Sequence, residues 1–73
     1  ELIGCRAEDA NSGKVYGTVT DVSQTGANDV WHITDDNGTE THIPAIPDVV
    51  SSVDVENGIV LITPLKGLFS DED

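Results

Sequence analysis

The sequence predicts an all-β domain, a small six-stranded barrel with short hairpins and at most one or two helical turns. Three observations carry that expectation. Val, Ile and Thr supply 22 of the 73 residues, while the strong helix formers Leu, Ala, Gln and Lys are sparse. Apolar runs are short and separated by turn chemistry at Asn11, Ser12, Gly13, at Thr25, Gly26, Ala27, Asn28, at Asp35, Asp36, Asn37, Gly38, and at Asn57, Gly58. The strand period also slips once, between Val19 and Val22, as a bulge does where a short sheet bends to close on itself.

Six strands are expected near residues 2–8, 14–24, 29–35, 39–44, 49–56 and 58–63. The first carries Cys5, read as a small buried apolar residue. In the second, Val15, Gly17 and Val19 keep the period of two, and a bulge near Thr20 and Asp21 returns Val22 to the face of Val19. Asn followed by Gly accepts the positive φ of a tight turn, so 29–35/39–44 and 49–56/58–63 should be antiparallel hairpins. A three-residue loop of Asp36, Asn37 and Gly38 would set His32 opposite His42, with Gly38 at positive φ. Pro44 and Pro47 withhold two backbone donors, so Ile43 to Asp48 should form a rigid corner or one short helical turn. One core is expected from Val15, Val19, Val22, Ile33, Ile43, Val53, Val55, Ile59 and Leu61, with Tyr16 and Phe69 in it or beside it. Trp31 is read two ways, as core or as a partner contact, because it alternates with His32. The domain is expected to run over residues 1–69, followed by an acidic tail, 70–73.

That core must be thin. A chain of this size folds to roughly 4,300 Å² from about 11,000 Å², hiding about 60% of its surface. Three Lys and Arg stand against 14 Asp and Glu, a net charge of −11. Such a surface repels nucleic acid phosphates and anionic lipid, and Arg6, Lys14 and Lys66 form no basic cluster, so any direct partner should be basic. No run of even ten apolar residues occurs, which argues against a membrane span or a secretory signal. One cysteine cannot form an internal disulfide, which favours a reducing compartment. The opening on Glu1 reads as a piece of a longer chain.

Catalytic and metal chemistry find little support in the residues. His32 and His42 could begin a zinc site, but no third ligand at sensible spacing is evident, the nearest acids being Asp35, Asp36 and Glu40. Solvent-facing cross-strand residues are the plainer reading. A calcium loop with Gly38 at its sixth position would put Ile33 first and Pro44 twelfth, where carboxylates belong, so that motif fails. Catalytic, cofactor-binding and metal residues are therefore all expected to be absent. Most carboxylates fall at turns and exposed strand positions, where they keep the surface soluble.

At Gly17, Thr18, Val19, Thr20, Asp21, Val22 and at Thr25, Gly26, Ala27, Asn28, Asp29, Val30 the chain resembles the C-terminal domain of the RimM family of ribosome maturation factors, a PRC-type β-barrel. Leu2, Ile3, Gly4 resemble that family's opening strand, and His42, Ile43, Pro44, Ala45, Ile46 its Ile-Pro-Ala segment. Val53 and Asp54 resemble its Val-Asp pair, and Gly67 and Leu68 its closing Gly-Leu. The resemblance spans essentially the whole chain in order. It lacks the family's N-terminal barrel domain and the tyrosine-containing linker before Leu2.

The resemblance implies a bacterial, cytoplasmic, non-catalytic factor, a chaperone of small-subunit maturation and rRNA processing. The implied partners are the immature small ribosomal subunit and a basic ribosomal protein of its head, number nineteen of the small-subunit series, with no direct nucleic acid binding, no membrane and a monomeric state. Loops on a rigid scaffold usually carry recognition. The expected contact residues are accordingly Thr25, Gly26, Ala27, Asn28, Asp29, Trp31, Pro44, Ala45, Ile46 and Pro47. Two other readings remain: a PRC-barrel adaptor docking to another complex, such as a membrane complex, and a metal-dependent enzyme built on His32 and His42.

Overall fold

The computed structural model describes residues 2–63. Glu1, Lys66, the Gly67–Leu68 pair, Phe69 and the acidic tail 70–73 lie outside the described residues. Six strands form one sheet: β1 (Arg6–Asp9), β2 (Val15–Thr25), β3 (Asn28–Thr34), β4 (Glu40–Pro44), β5 (Val50–Asp54) and β6 (Ile59–Ile62). Their order across the sheet is β4-β3-β2-β1-β6-β5. Neighbours are antiparallel except β1 and β6, which run parallel. No helix occurs among the described residues, and none is long and apolar enough to cross a membrane.

The central hairpin has the expected register. His32 pairs with His42 and Thr34 with Glu40. The loop between them is held by the Asp35 carboxylate, whose Oδ1 accepts the amides of Asn37 and Thr39, both at 2.9 Å. Gly38 takes φ +86° to complete it. The expected bulge is also present: Val19 pairs with Ile33 and Asp21 with His32, leaving Thr20 unpaired.

The sheet is strongly curled. Its edge strands β4 and β5 are joined by residues 45–49 alone, six peptide steps that reach about 20 Å when extended. Six flat strands would hold the edges about 24 Å apart, and the connection is far from extended. The Ile46 carbonyl accepts from the amides of Val49 (2.9 Å) and Val50 (2.8 Å). The molecule is accordingly near-isometric, 29 × 27 × 24 Å. No rung joins β4 to β5, so hydrogen bonds do not close the sheet into a barrel.

The concave face is filled by Cys5, Ala7, Val19, Trp31, Ile33, Ile43, Val49, Val60 and Ile62, with Leu2, Tyr16, Val22, Ala45, Ile46 and Val50 packed against them. No polar or charged residue is buried among the described residues. Several expected core positions are corrected by this arrangement. Val15 is 52% exposed, because β1 pairs Ala7 with Gly17 and Glu8 with Val15. Tyr16 is thereby left as a second bulge, which turns it toward the core and Val15 away. Ile59 and Leu61 lie on the outer face and only half-buried, because the parallel neighbour aligns Val60 with Ala7 and Leu61 with Glu8. Val53 pairs with buried Val60, yet among the described residues β5 is an edge strand with no neighbour on its far side, and Val53 stays 46% exposed. Val55 belongs to the turn that Asp54 caps through the Asn57 amide and side chain, and it too is exposed. The opening strand is shorter than expected, because Gly4 at φ +101° breaks the extended run and the Cys5 amide folds back to the Leu2 carbonyl at 3.1 Å.

Candidate functional site

The two strings expected to carry recognition meet at one end of the sheet. β2 and β3 turn through Gly26 and Ala27, with Thr25 and Asn28 forming the last rung and Gly26 at φ +69°. The last rung of β3 with β4 pairs Val30 with Pro44, and one step further the Ala45 amide donates to the Asp29 carbonyl at 2.9 Å. That bond ties the start of the Pro44 to Pro47 corner to the end of the Thr25 to Asp29 turn. Gly26, Ala27, Asn28, Asp29 and Pro47 are exposed, while Pro44, Ala45 and Ile46 are half-buried. Ala45 and Ile46 pack inward on the core, which fixes the corner. Asp29 and Asp48, both exposed, give this end its negative charge.

Trp31 is not part of that surface. It pairs with Val22 on one side and Ile43 on the other, facing inward, and is 6% exposed. Its side chain packs in the core cluster, the first of its two expected readings, and leaves little surface for a partner.

Beside the loop end a shallow groove of about 490 Å³ runs over the β2–β3–β4 surface, lined by Ser23, Val30, His32, His42, Ile43 and Pro44. The two imidazoles lie with ring centres 4.1 Å apart. Glu40, two residues before His42 on the same face of β4, reaches diagonally to His32 Nδ1 at 2.6 Å and lies 3.5 Å from His42 Nε2. The other nitrogen of His32, Nε2, meets Ser23 Oγ at 2.7 Å. The His32 hydrogen bond is the main cause holding the Glu40 carboxyl below the usual carboxylate range, with the charges of both imidazoles adding to it. Sequence reasoning named Glu40 among the nearest acids but declined it as a ligand, and it did not single out Ser23. The signal was present: once His32 is paired with His42, period two places Glu40 on the diagonal that long side chains reach.

Two further turn carboxylates are committed locally. Asp9 accepts the Tyr16 hydroxyl and the amides of Asn11 (2.7 Å) and Ser12 (3.0 Å), and these bonds, Tyr16 first, lower its pKa. Asp54 is lowered chiefly by the Asn57 side chain and amide. Such acids shape turns and converge on no shared centre.

A curled six-stranded sheet presenting a tied pair of loops at one end is a small all-β domain of the PRC type. The chain belongs to the RimM PRC barrel domain family, whose model matches residues 1–68. It is 44% identical over 68 residues to the ribosome maturation factor RimM of Lactobacillus delbrueckii subsp. bulgaricus, covering 93% of this chain and 41% of that protein. It is 45% identical over 74 residues to the RimM of an Exiguobacterium species, covering 100% and 42%. A crystal structure described as a 16S ribosomal RNA processing protein RimM from Pseudomonas aeruginosa superposes with a TM-score of 0.77 at 26% identity, over 85% of this chain and 40% of that one. The chain thus spans about two fifths of the length of these relatives.

Proposed function

We propose that this domain is the non-catalytic, protein-binding part of a ribosome maturation factor. It acts in the bacterial cytoplasm as a monomer, in maturation of the small subunit and processing of its rRNA. Its direct partner is the basic head protein number nineteen of the small-subunit series, met on the immature subunit, with rRNA itself not bound. The observation that carries this reading is the Ala45 to Asp29 bond, which ties the exposed turn at Gly26 to Asp29 to the half-buried corner that ends at exposed Pro47 and Asp48, on a chain of net charge −11. The names of the relatives support its ribosome maturation part. Gly26, Ala27, Asn28, Asp29 and the Pro44 to Pro47 corner form the contact, with Thr25 contributing its place in the turn. The curled sheet serves as a PRC-type barrel, with the domain running to residue 69 and the acidic tail 70–73 beyond it.

The test is titration of the 73-residue chain and of the doubly reversed variant Asp29→Lys, Asp48→Lys against the purified head protein and against naked 16S rRNA. The expected result is binding to the protein alone, weakened at least tenfold by the reversal. Equal binding by both chains, or preference for rRNA, would overturn the assignment.

A further inference from the structure

The geometry points to a zinc-class metal site on the outer face of the β3–β4 hairpin, formed by His32, Glu40 and His42. One ligand atom from each of these residues lies within 4.8 Å of the others. The ladder itself fixes two of them, since His32 and His42 are directly paired. Glu40 supplies the third from a flexible side chain already 2.6 Å from His32 Nδ1 and 3.5 Å from His42 Nε2.

A tetrahedral zinc ion with bonds of about 2.0–2.1 Å spaces its ligand atoms about 3.3 Å apart. The two distances to Glu40 Oε2, 2.6 and 3.5 Å, bracket that spacing, and the two imidazole nitrogens, within 4.8 Å of each other, close by up to about 1.5 Å when both rings turn toward the ion. A carboxylate accepts and does not donate, so the proton in the His32 to Glu40 bond sits on Nδ1. As the ion takes Nδ1, the single proton of the neutral ring is relocated through solvent to Nε2, with no net proton change. His32 Nε2 then donates it to Ser23 Oγ, 2.7 Å away. Metal-bound imidazoles are commonly oriented by such an outer partner, and Ser23 on β2 is already in position.

The donor set selects the ion. Two imidazoles and one carboxylate suit zinc and its transition-metal neighbours, whereas magnesium and calcium call for oxygen ligands. Three protein ligands leave a fourth position. Both histidines line the open groove, so water can reach it. The net charge of −11 also favours an incoming dication.

The test uses the 73-residue chain produced without a polyhistidine tag and stripped of metal, titrated with zinc chloride by calorimetry and by two-dimensional NMR. The wild type should bind one zinc ion saturably, with ring signals of His32 and His42 shifting together and magnesium in excess failing to displace it. His42→Ala and Glu40→Gln alter exposed side chains, so both variants should keep the native spectrum. Each should bind at least tenfold more weakly. Ser23→Ala should weaken binding less than either. Zinc binding of unchanged affinity in the His42→Ala chain, shifts confined to the turn carboxylates, or no saturable binding by the wild type would each overturn the site.

Discussion

A Cβ on Gly17 would stand 2.4 Å from the carbonyl oxygen of Thr34 and 2.7 Å from its carbonyl carbon. β2 therefore passes the end of β3 with no room for any side chain, and the neighbouring atoms are backbone that cannot swing aside. Gly17 also holds φ +150°, a region that L residues seldom enter. Gly17→Ala should lose more than the roughly 1–3 kcal/mol typical of backbone strain alone, enough to unfold much of so small a domain. Urea denaturation followed by tryptophan fluorescence measures it, since Trp31 is buried. A loss below about 0.5 kcal/mol would mean that the two strands are spaced differently.

Gly38 presents the opposite case. Nothing lies within 4 Å of a Cβ built there, yet its φ is +86°. Only conformational strain opposes a side chain, and Gly38→Val should cost about 1–2 kcal/mol. Gly38→Asn should recover much of that loss, because Asn tolerates the left-handed region. Equal stabilities of the two variants would place the cause elsewhere.

The inward face is tested by pairing a buried valine with an exposed one. Val60 is fully buried and Val15 is 52% exposed. Val60→Ala removes two buried methyl-sized groups and should cost about 2 kcal/mol, plus a cavity contribution. Val15→Ala should stay within about 0.5 kcal/mol of the parent. Val19→Asp, which sets a carboxylate in a core with no buried polar partner, should abolish native dispersion in NMR spectra. The reverse ranking of Val15 and Val60 would restore the simple alternation along β2.

Those two valines also show how far the sequence could be read. Turn chemistry is local, so the Asn37–Gly38 loop, the register of His32 on His42 and the bulge at Thr20 are all legible in the sequence. Val15 was misplaced because the bulge at Tyr16 breaks no apolar pattern: Gly17 carries no side chain to mark the face. Ile59, Val60, Leu61 and Ile62 are apolar without a gap, so period two cannot choose between their faces. The parallel partner β1 chooses, and that pairing is remote in sequence. The same holds at the loop end, where the Ala45 to Asp29 bond joins strings that the sequence could only name separately.

Acid should destabilise the fold through three carboxylates. Asp9, Glu40 and Asp54 are held below their ordinary pKa by Tyr16, by His32 and by Asn57 respectively. A folded pKa below the unfolded one gives stabilisation that is complete above the unfolded value. It is lost as pH falls through the folded one, here below about pH 4. Neutralising the other acids acts oppositely by relieving repulsion on a chain of net charge −11. High salt screens that repulsion and leaves short hydrogen bonds largely intact. Melting temperature should therefore fall below pH 4 more steeply in high salt, and Asp9→Asn should flatten the fall. A melting temperature that rises on acidification in high salt would contradict the assigned pKa directions.

The last expectation concerns how a partner arrives. With 14 acidic and 3 basic residues, the chain carries a long-range field that accelerates encounter with a basic protein, while specificity rests on the smaller contact at the loop end. At physiological ionic strength that field is screened beyond about 8 Å, so raising salt should chiefly slow association and leave dissociation nearly unchanged. Reversing acids at the loop end should act on both rates, because Asp29 contributes to the field and to the contact, whereas reversing Asp36 at the far end of β3 should act on association alone. A longer chain including the segments by which the relatives exceed this domain should dissociate more slowly, since a second contact on one chain works at high effective concentration. Stopped-flow association of the 73-residue chain, its Asp29→Lys and Asp36→Lys variants and the longer chain with the basic head protein, across a salt series, separates these effects. Association that ignores salt, or an Asp36→Lys variant that dissociates as fast as Asp29→Lys, would remove the loop end from the contact.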